Sequence, residues 1–137
     1  MANTVTGPIV LNSNPKESSI YMSIASDGTE ETDLVIFDSS AIASTLGLTD
    51  PLDSSIISVY GSVSSAVTAR VFLEWDADTD VLAFDIPCGQ TPTKVNFRSL
   101  GGLPNQGGTG KTGDITLTTT GLEAGDKITL VLHVRRD

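Results

Sequence analysis

Cysteine, histidine and tryptophan each occur once in this 137-residue chain, as Cys88, His133 and Trp75, and aromatic residues make up only 5% of it. A single cysteine forms no internal disulfide and builds no thiolate metal site alone, so Cys88 reads as a small apolar filler at a strand end. A single histidine confines any Ser/His/Asp or Cys/His arrangement to the surroundings of His133. Basic residues are also scarce, 8 against 17 acidic, which leaves a formal net charge of −9. A nucleic-acid module normally turns a basic face to the phosphates, so no nucleic-acid partner is expected. No apolar run approaches the roughly 18 residues of a spanning helix, and the start, Met1 to Pro8, lacks the basic and long apolar regions of a secretory signal. The expectation is a chain made in the cytoplasm, with no membrane partner.

What the sequence has instead is strand pattern. Ile20, Met22 and Ile24 alternate with polar neighbours, the period of a half-buried strand. The dipeptide Asp27-Gly28 marks a turn, and Leu34 to Phe37 follows as a short buried run, so the two segments predict a hairpin. Helical spacing occurs once, from Ser40 to Leu46, with Ser39 or Ser40 as N-cap and Gly47 at C′; Thr49-Asp50-Pro51 then breaks the chain. Ile56–Val63, Ala69–Trp75 and Val81–Ile86, separated by Ser64-Ser65-Ala66 and by Asp76 to Asp80, predict a meander. Lys94–Arg98, Asp114–Thr119 and Lys127–Val134 complete the set. In the last of these, alternation puts Ile128, Leu130, Leu132 and Val134 on one face, and His133 with Arg135 on the other, less apolar one.

About eight strands with one short helix near residues 40–46 define an all-β chain: a single antiparallel β-sandwich, jelly-roll-like or small barrel domain. Parallel α/β architecture is excluded, because no crossover helix recurs between strands. Residues 18–137 form that domain. Residues 1–17 lack alternation apart from Pro8-Ile9-Val10-Leu11 and read as an extended N-terminal arm. An apolar tetrad in an arm needs cover, either as an edge strand of its own sheet or from a neighbouring subunit.

The motifs that suggest chemistry fail on context. Gly107-Gly108-Thr109-Gly110-Lys111-Thr112 ends like a phosphate-binding loop, but Asn105 stands where the first glycine belongs, and a β pattern follows in place of a helix. It reads as a flexible surface loop. Asp76, Asp78 and Asp80 space their carboxylates like the start of a calcium loop, but Val81 replaces the turn glycine and Pro87 the bidentate glutamate. They read first as a solvated hairpin tip, with a weak Ca²⁺ or Mg²⁺ site made with Glu74 or another loop as the alternative. No nucleophile, base and orienter can be named together, so neither an enzyme nor a cofactor is expected. Residues 1–92 hold 13 acids and 2 bases, whereas residues 93–137 hold 4 acids and 6 bases. That split is read either as electrostatic docking of copies against a partner or as plain solubility.

Met1-Ala2-Asn3-Thr4, the Ser/Thr-rich strands, Thr68 to Glu74 and the closing stretches Gly110 to Thr119, Gly121-Leu122 and Gly125 to Leu130 together resemble small structural proteins of tailed bacteriophages, in particular capsid decoration (cement) proteins. The resemblance implies a β-sandwich or jelly-roll virion subunit that binds the outer capsid surface, stabilises the head and commonly forms homotrimers. Its partners would be the major capsid protein and copies of itself. On that reading Ile9, Val10, Leu11, Asn105, Gln106, Lys111, Arg135 and Arg136 are the interface candidates. The competing readings are another virion part (tail-tube, head-fibre or adaptor protein) and a carbohydrate-binding β-sandwich module. The latter would need two or three exposed coplanar aromatics, whereas most rings here fall at inward strand positions.

Overall fold

A computed structural model describes residues 3–13, 16–47, 54–64, 69–89 and 92–136, with Asn12 described by its backbone alone. Among the described residues, ten strands form two antiparallel sheets packed as a sandwich. The six-stranded sheet contains β1 (Thr4–Ser13), β2 (Glu17–Asp27), β10 (Ala124–Arg136), β4 (Ser54–Ser64) and β7 (Thr93–Asn96) in that order, with β8 (Leu103–Pro104) also pairing β4. The four-stranded sheet runs β3 (Leu34–Phe37), β9 (Ile115–Thr120), β5 (Arg70–Trp75) and β6 (Val81–Ile86). The two strands beyond the expected eight are β1 and the two-residue β8.

Alternation explains the core. Ile20, Met22 and Ile24 of β2, Ile128 to Val134 at even positions of β10, and Ile56, Val59 and Val63 of β4 turn inward from the larger sheet. Ile36 and Phe37, Ile115 and Leu117, Val71, Leu73 and Trp75, and Ile86 meet them from the smaller one. The α-helix α1 (Ser39–Thr45) lies where the spacing predicts it and buries Ile42 against this core, with Ala43 buried beside it. Its N-cap is Asp38, whose carboxylate accepts from Ala41 N at 3.1 Å and Ser40 Oγ at 3.0 Å, so Ser39 and Ser40 are helical residues rather than caps. Gly47 occupies C′ with φ +71°, as expected of a residue free of Cβ strain there. The Thr49–Pro51 breaker and the Ser65–Ala66 turn lie outside the described residues.

The pairing departs from the sequence reading in two places. The expected hairpin of β2 and β3 does not form: β2 pairs β1 and β10, whereas β3 pairs β9 in the opposite sheet. The connection after Gly28 crosses between sheets and is fixed there by Glu31 N donating to Thr119 Oγ1 and Thr119 N to Glu31 O, both at 2.9 Å. The expected meander is likewise divided, because β4 belongs to the larger sheet and only β5 and β6 form a hairpin. Residues 4–13, within the stretch expected as an arm, adopt the first of the two arrangements open to it, an edge strand on its own sheet.

Candidate functional site

β1 is the edge strand of the larger sheet, which is five strands across because β7 and β8 both pair the far side of β4. Val10 is in register with the core residue Ile20, yet it is left half-exposed. Its neighbours on the strand share that exposure: Ile9 is 45% exposed, Val10 49% and Leu11 58%. The strand carries no charged residue, and its outer edge has no partner among the described residues. Its ladder to β2 is interrupted between Thr6 and Ile9 and between Val10 and Asn12, irregularities that blunt indiscriminate edge pairing.

On the outer face of this sheet, register brings Ile9, Tyr21, Val131, Tyr60 and Lys94 into one row across five strands. Tyr21 and Tyr60 flank Val131 on alternate strands, so their backbones stand about 10 Å apart. Tyr60 is exposed and Tyr21 half-buried. This pair was hidden in the sequence because only the strand order shows that β2 and β4 both border β10.

The adjacent row holds the contacts of His133. Its Nδ1 lies 2.9 Å from Ser19 Oγ, and its Nε2 lies 3.3 Å from Glu17 Oε2, within ion-pair reach but outside good hydrogen-bond geometry. Glu17 in turn accepts from Arg98 at 2.9 Å, and that bond, with help from His133, holds its carboxyl below the usual carboxylate range. Serine, histidine and carboxylate thus meet, on the less apolar face where alternation put His133. Acyl transfer also needs paired N–H donors for an oxyanion. Ser19 and His133 lie on β2 and β10, each flanked by strands on both sides, so their backbone N–H groups are committed to the ladders.

The remaining expected site residues are scattered. Asp76 accepts from Thr112 Oγ1 at 2.7 Å, and Asp78 N donates to Thr109 O at 3.1 Å beside Gly110, where a Cβ would collide with the Asp78 carboxylate. The glycine-rich loop expected to be flexible is therefore tied to the β5–β6 tip, and a cleft of about 330 Å³ lies between Asp78, Thr79, Val81, Gly108 and Thr109. Asp80, its Oδ1 accepting from Ala77 N, groups with Asp33 and Glu74. Asp76, Asp78 and Asp80 thus do not converge on one cation as their spacing suggested. Asn105 bonds its own loop through Gly107 N at 2.7 Å, Gln106 is exposed, and Lys111 is half-buried.

Arg135 reaches Gly101 O at 2.9 Å. Arg136, expected beside it at an interface, is only 7% exposed because β10 alternation carries it inward with Leu132 and Val134. Its Nη2 donates to Ser13 and Ser18 hydroxyls at 3.2 and 2.7 Å, and burial pushes its pKa down. Cys88 packs half-buried against the core, where burial pushes its thiol pKa up.

No family model and no curated protein matches the chain. A solved structure described as "CBM4 structure and function" overlaps 96% of this chain and 89% of its own length at 10% identity, with a TM-score of 0.30. A superposition at that score carries no argument about function. The β-sandwich stands on the strand pairing itself.

Proposed function

We propose that the chain is a structural subunit of a virion that decorates the outer capsid surface and stabilises the head, docking through β1. The observation that carries this reading is the exposed edge: an uncharged edge strand whose Ile9, Val10 and Leu11 are about half-exposed in a chain of net charge −9. A partner strand or apolar patch laid against β1 removes that surface from water with no like-charge repulsion at the contact. The likeness of the closing stretches to phage decoration proteins supports the virion assignment, and copies of the subunit, as a homotrimer, would repeat the contact over a capsid lattice. The test is co-sedimentation of purified protein with cognate heads, beside its mass in solution. Val10→Asp and Leu11→Asp, both on exposed positions, are expected to abolish binding with little change in the unfolding midpoint. Binding by both variants as tight as wild type, or assembly into rings or tubes that join a tail, overturns the reading.

A second reading, a carbohydrate-binding module, is favoured by one observation, the Tyr21–Val131–Tyr60 row on the sheet's outer face. The two separate cleanly. Glycan-array binding that is lost in Tyr21→Ala and Tyr60→Ala but kept in Val10→Asp selects the carbohydrate module.

A further inference from the structure

The outer face of the four-stranded sheet carries a cluster that the docking reading does not use. On β9, Ile115 and Leu117 face the core, so Thr116 and Thr118 face outward. Thr116 stands directly opposite Glu74 of β5 on one side and Val35 of β3 on the other, and directly paired residues project to the same face. Asp33 comes from the segment before β3 and Asp80 from the segment before β6, at opposite edges of the sheet. Both reach over the sheet to Glu74, and an oxygen of each of the three carboxylates lies within 4.8 Å of the other two. Thr118 Oγ1 bridges the group, 3.3 Å from Glu74 Oε1 and 3.5 Å from Asp33 Oδ1. The nearest cation on this face, Arg70, is engaged by Asp85 at 2.8 Å and stacked on Phe72. Among the described residues no basic side chain forms an ion pair with the three acids.

A second feature is independent of the acids. Thr116 is 2% exposed although it lies on an outer face, and its Oγ1 has no hydrogen-bond partner. Strand β9 runs between β3 and β5, so Asp33 crosses it to meet Glu74, with Thr118 Oγ1 touching both carboxylates. An unsatisfied, buried hydroxyl therefore sits on the face where three carboxylates converge, directly opposite Glu74. Buried hydroxyls are normally partnered, and one left open beside a concentration of negative charge marks room for a cation.

We propose that Asp33, Glu74 and Asp80, with the hydroxyls of Thr116 and Thr118, form a Ca²⁺ site that ties the two edges of the four-stranded sheet together. The donors are all hard oxygens, with no imidazole or thiolate, which favours Ca²⁺ or Mg²⁺ over transition metals. They arrive from four different segments with unequal reach, which suits the irregular, larger shell of Ca²⁺ better than the strict octahedron of Mg²⁺. The site would brace the fold independently of what β1 binds.

The test uses the full chain, freed of divalent ions with EDTA and held at constant ionic strength. Calorimetric titration with CaCl₂ is expected to show one site with a dissociation constant of roughly 10⁻⁴ M, and CaCl₂ is expected to raise the unfolding midpoint. Glu74→Gln and Asp80→Asn should each weaken binding at least tenfold and remove the rise. Asp38→Asn, at a helix cap remote from the site, should keep both. Thr116→Val should weaken Ca²⁺ binding while raising the midpoint of the metal-free protein, a pairing of effects that a purely structural hydroxyl would not give. No Ca²⁺-dependent rise, an equal response to MgCl₂, or an unchanged response in Glu74→Gln overturns the assignment.

Discussion

Arg136 brings a full charge into a setting where, among the described residues, its side chain meets only the Ser13 and Ser18 hydroxyls. Its Nε and Nη1 have no partner among the described residues, and burial alone moves its pKa down. Desolvating an unpaired guanidinium costs more than two hydroxyl contacts return. Ser13 and Ser18 do not depend on it, since their Oγ atoms lie 2.8 Å from each other. Arg136→Met is therefore expected to raise the unfolding free energy, by about 1–2 kcal/mol on the scale of buried ion replacements, measured by urea titration. Its burial follows from the same two-residue period that put Leu132 and Val134 inside, and the period was visible in the sequence. What obscured it was residue chemistry: a terminal Arg-Arg pair reads as surface, and only the strand continuing through residue 136 turns one of the two inward. The Asp38 cap was missed for a related reason, because three adjacent residues, Asp38, Ser39 and Ser40, are all good caps and spacing does not choose among them.

At the level of the elements, strand β4 shows how closely the sheets approach. Gly61 faces inward opposite β6, where an added Cβ would stand 2.8 Å from Ile86 Cγ2. Gly61→Ala is expected to lower stability by about 1–3 kcal/mol through overpacking, unless the Cγ2 branch of Ile86 is removed with it; the double variant with Ile86→Leu, which has no β-branch, should recover part of the loss in the same urea titration. Strand existence was legible throughout, since each run shows either alternation or a short apolar block. Strand pairing was not. A turn dipeptide such as Asp27-Gly28 suits a hairpin and a sheet-to-sheet crossing equally well, and the difference lies in tertiary bonds from Glu30 and Glu31 to residues some ninety positions away. The acidic tip followed the same rule. Spacing placed Asp76, Asp78 and Asp80 together, but the partners of Asp80, Asp33 and Glu74, come from other strands, and the Tyr21–Tyr60 row is non-local in the same sense.

Across the whole molecule, the two sheets differ in where acids crowd. The larger sheet mixes Lys94, Lys127, Arg135 and Arg136 with Glu17, Asp27 and Asp126, whereas Asp33, Glu74 and Asp80 converge on the smaller one. Burial, then the neighbouring acids, pushes the carboxyls of Asp33 and Glu74 up. The native state consequently holds protons there more tightly than the unfolded chain, so this contribution to stability falls as pH rises and returns on acidification. Glu17 has the opposite sign: its lowered pKa contributes stability above its ordinary value of 4.5 that is lost as pH falls through the folded value. In EDTA, the unfolding midpoint is expected to rise as pH is lowered from neutrality toward the ordinary carboxylate range, where Asp33 and Glu74 take up protons while Glu17 stays ionised. Glu74→Gln should flatten that rise, and a midpoint independent of pH over this range in the wild type would contradict the charge crowding on the smaller sheet.

The strand order also has a consequence in time. The interior positions next to β2 and β4 in one sheet, and between β3 and β5 in the other, are filled by β10 and β9, which are read from residues 115–136. During synthesis the earlier strands emerge as flanks without middles: β2 has only β1, and β3 has no neighbour at all until β9 appears. Neither sheet can close from its amino-terminal side as the ribosome advances, so the apolar faces of the earlier strands stay uncovered until residues 115–136 have emerged.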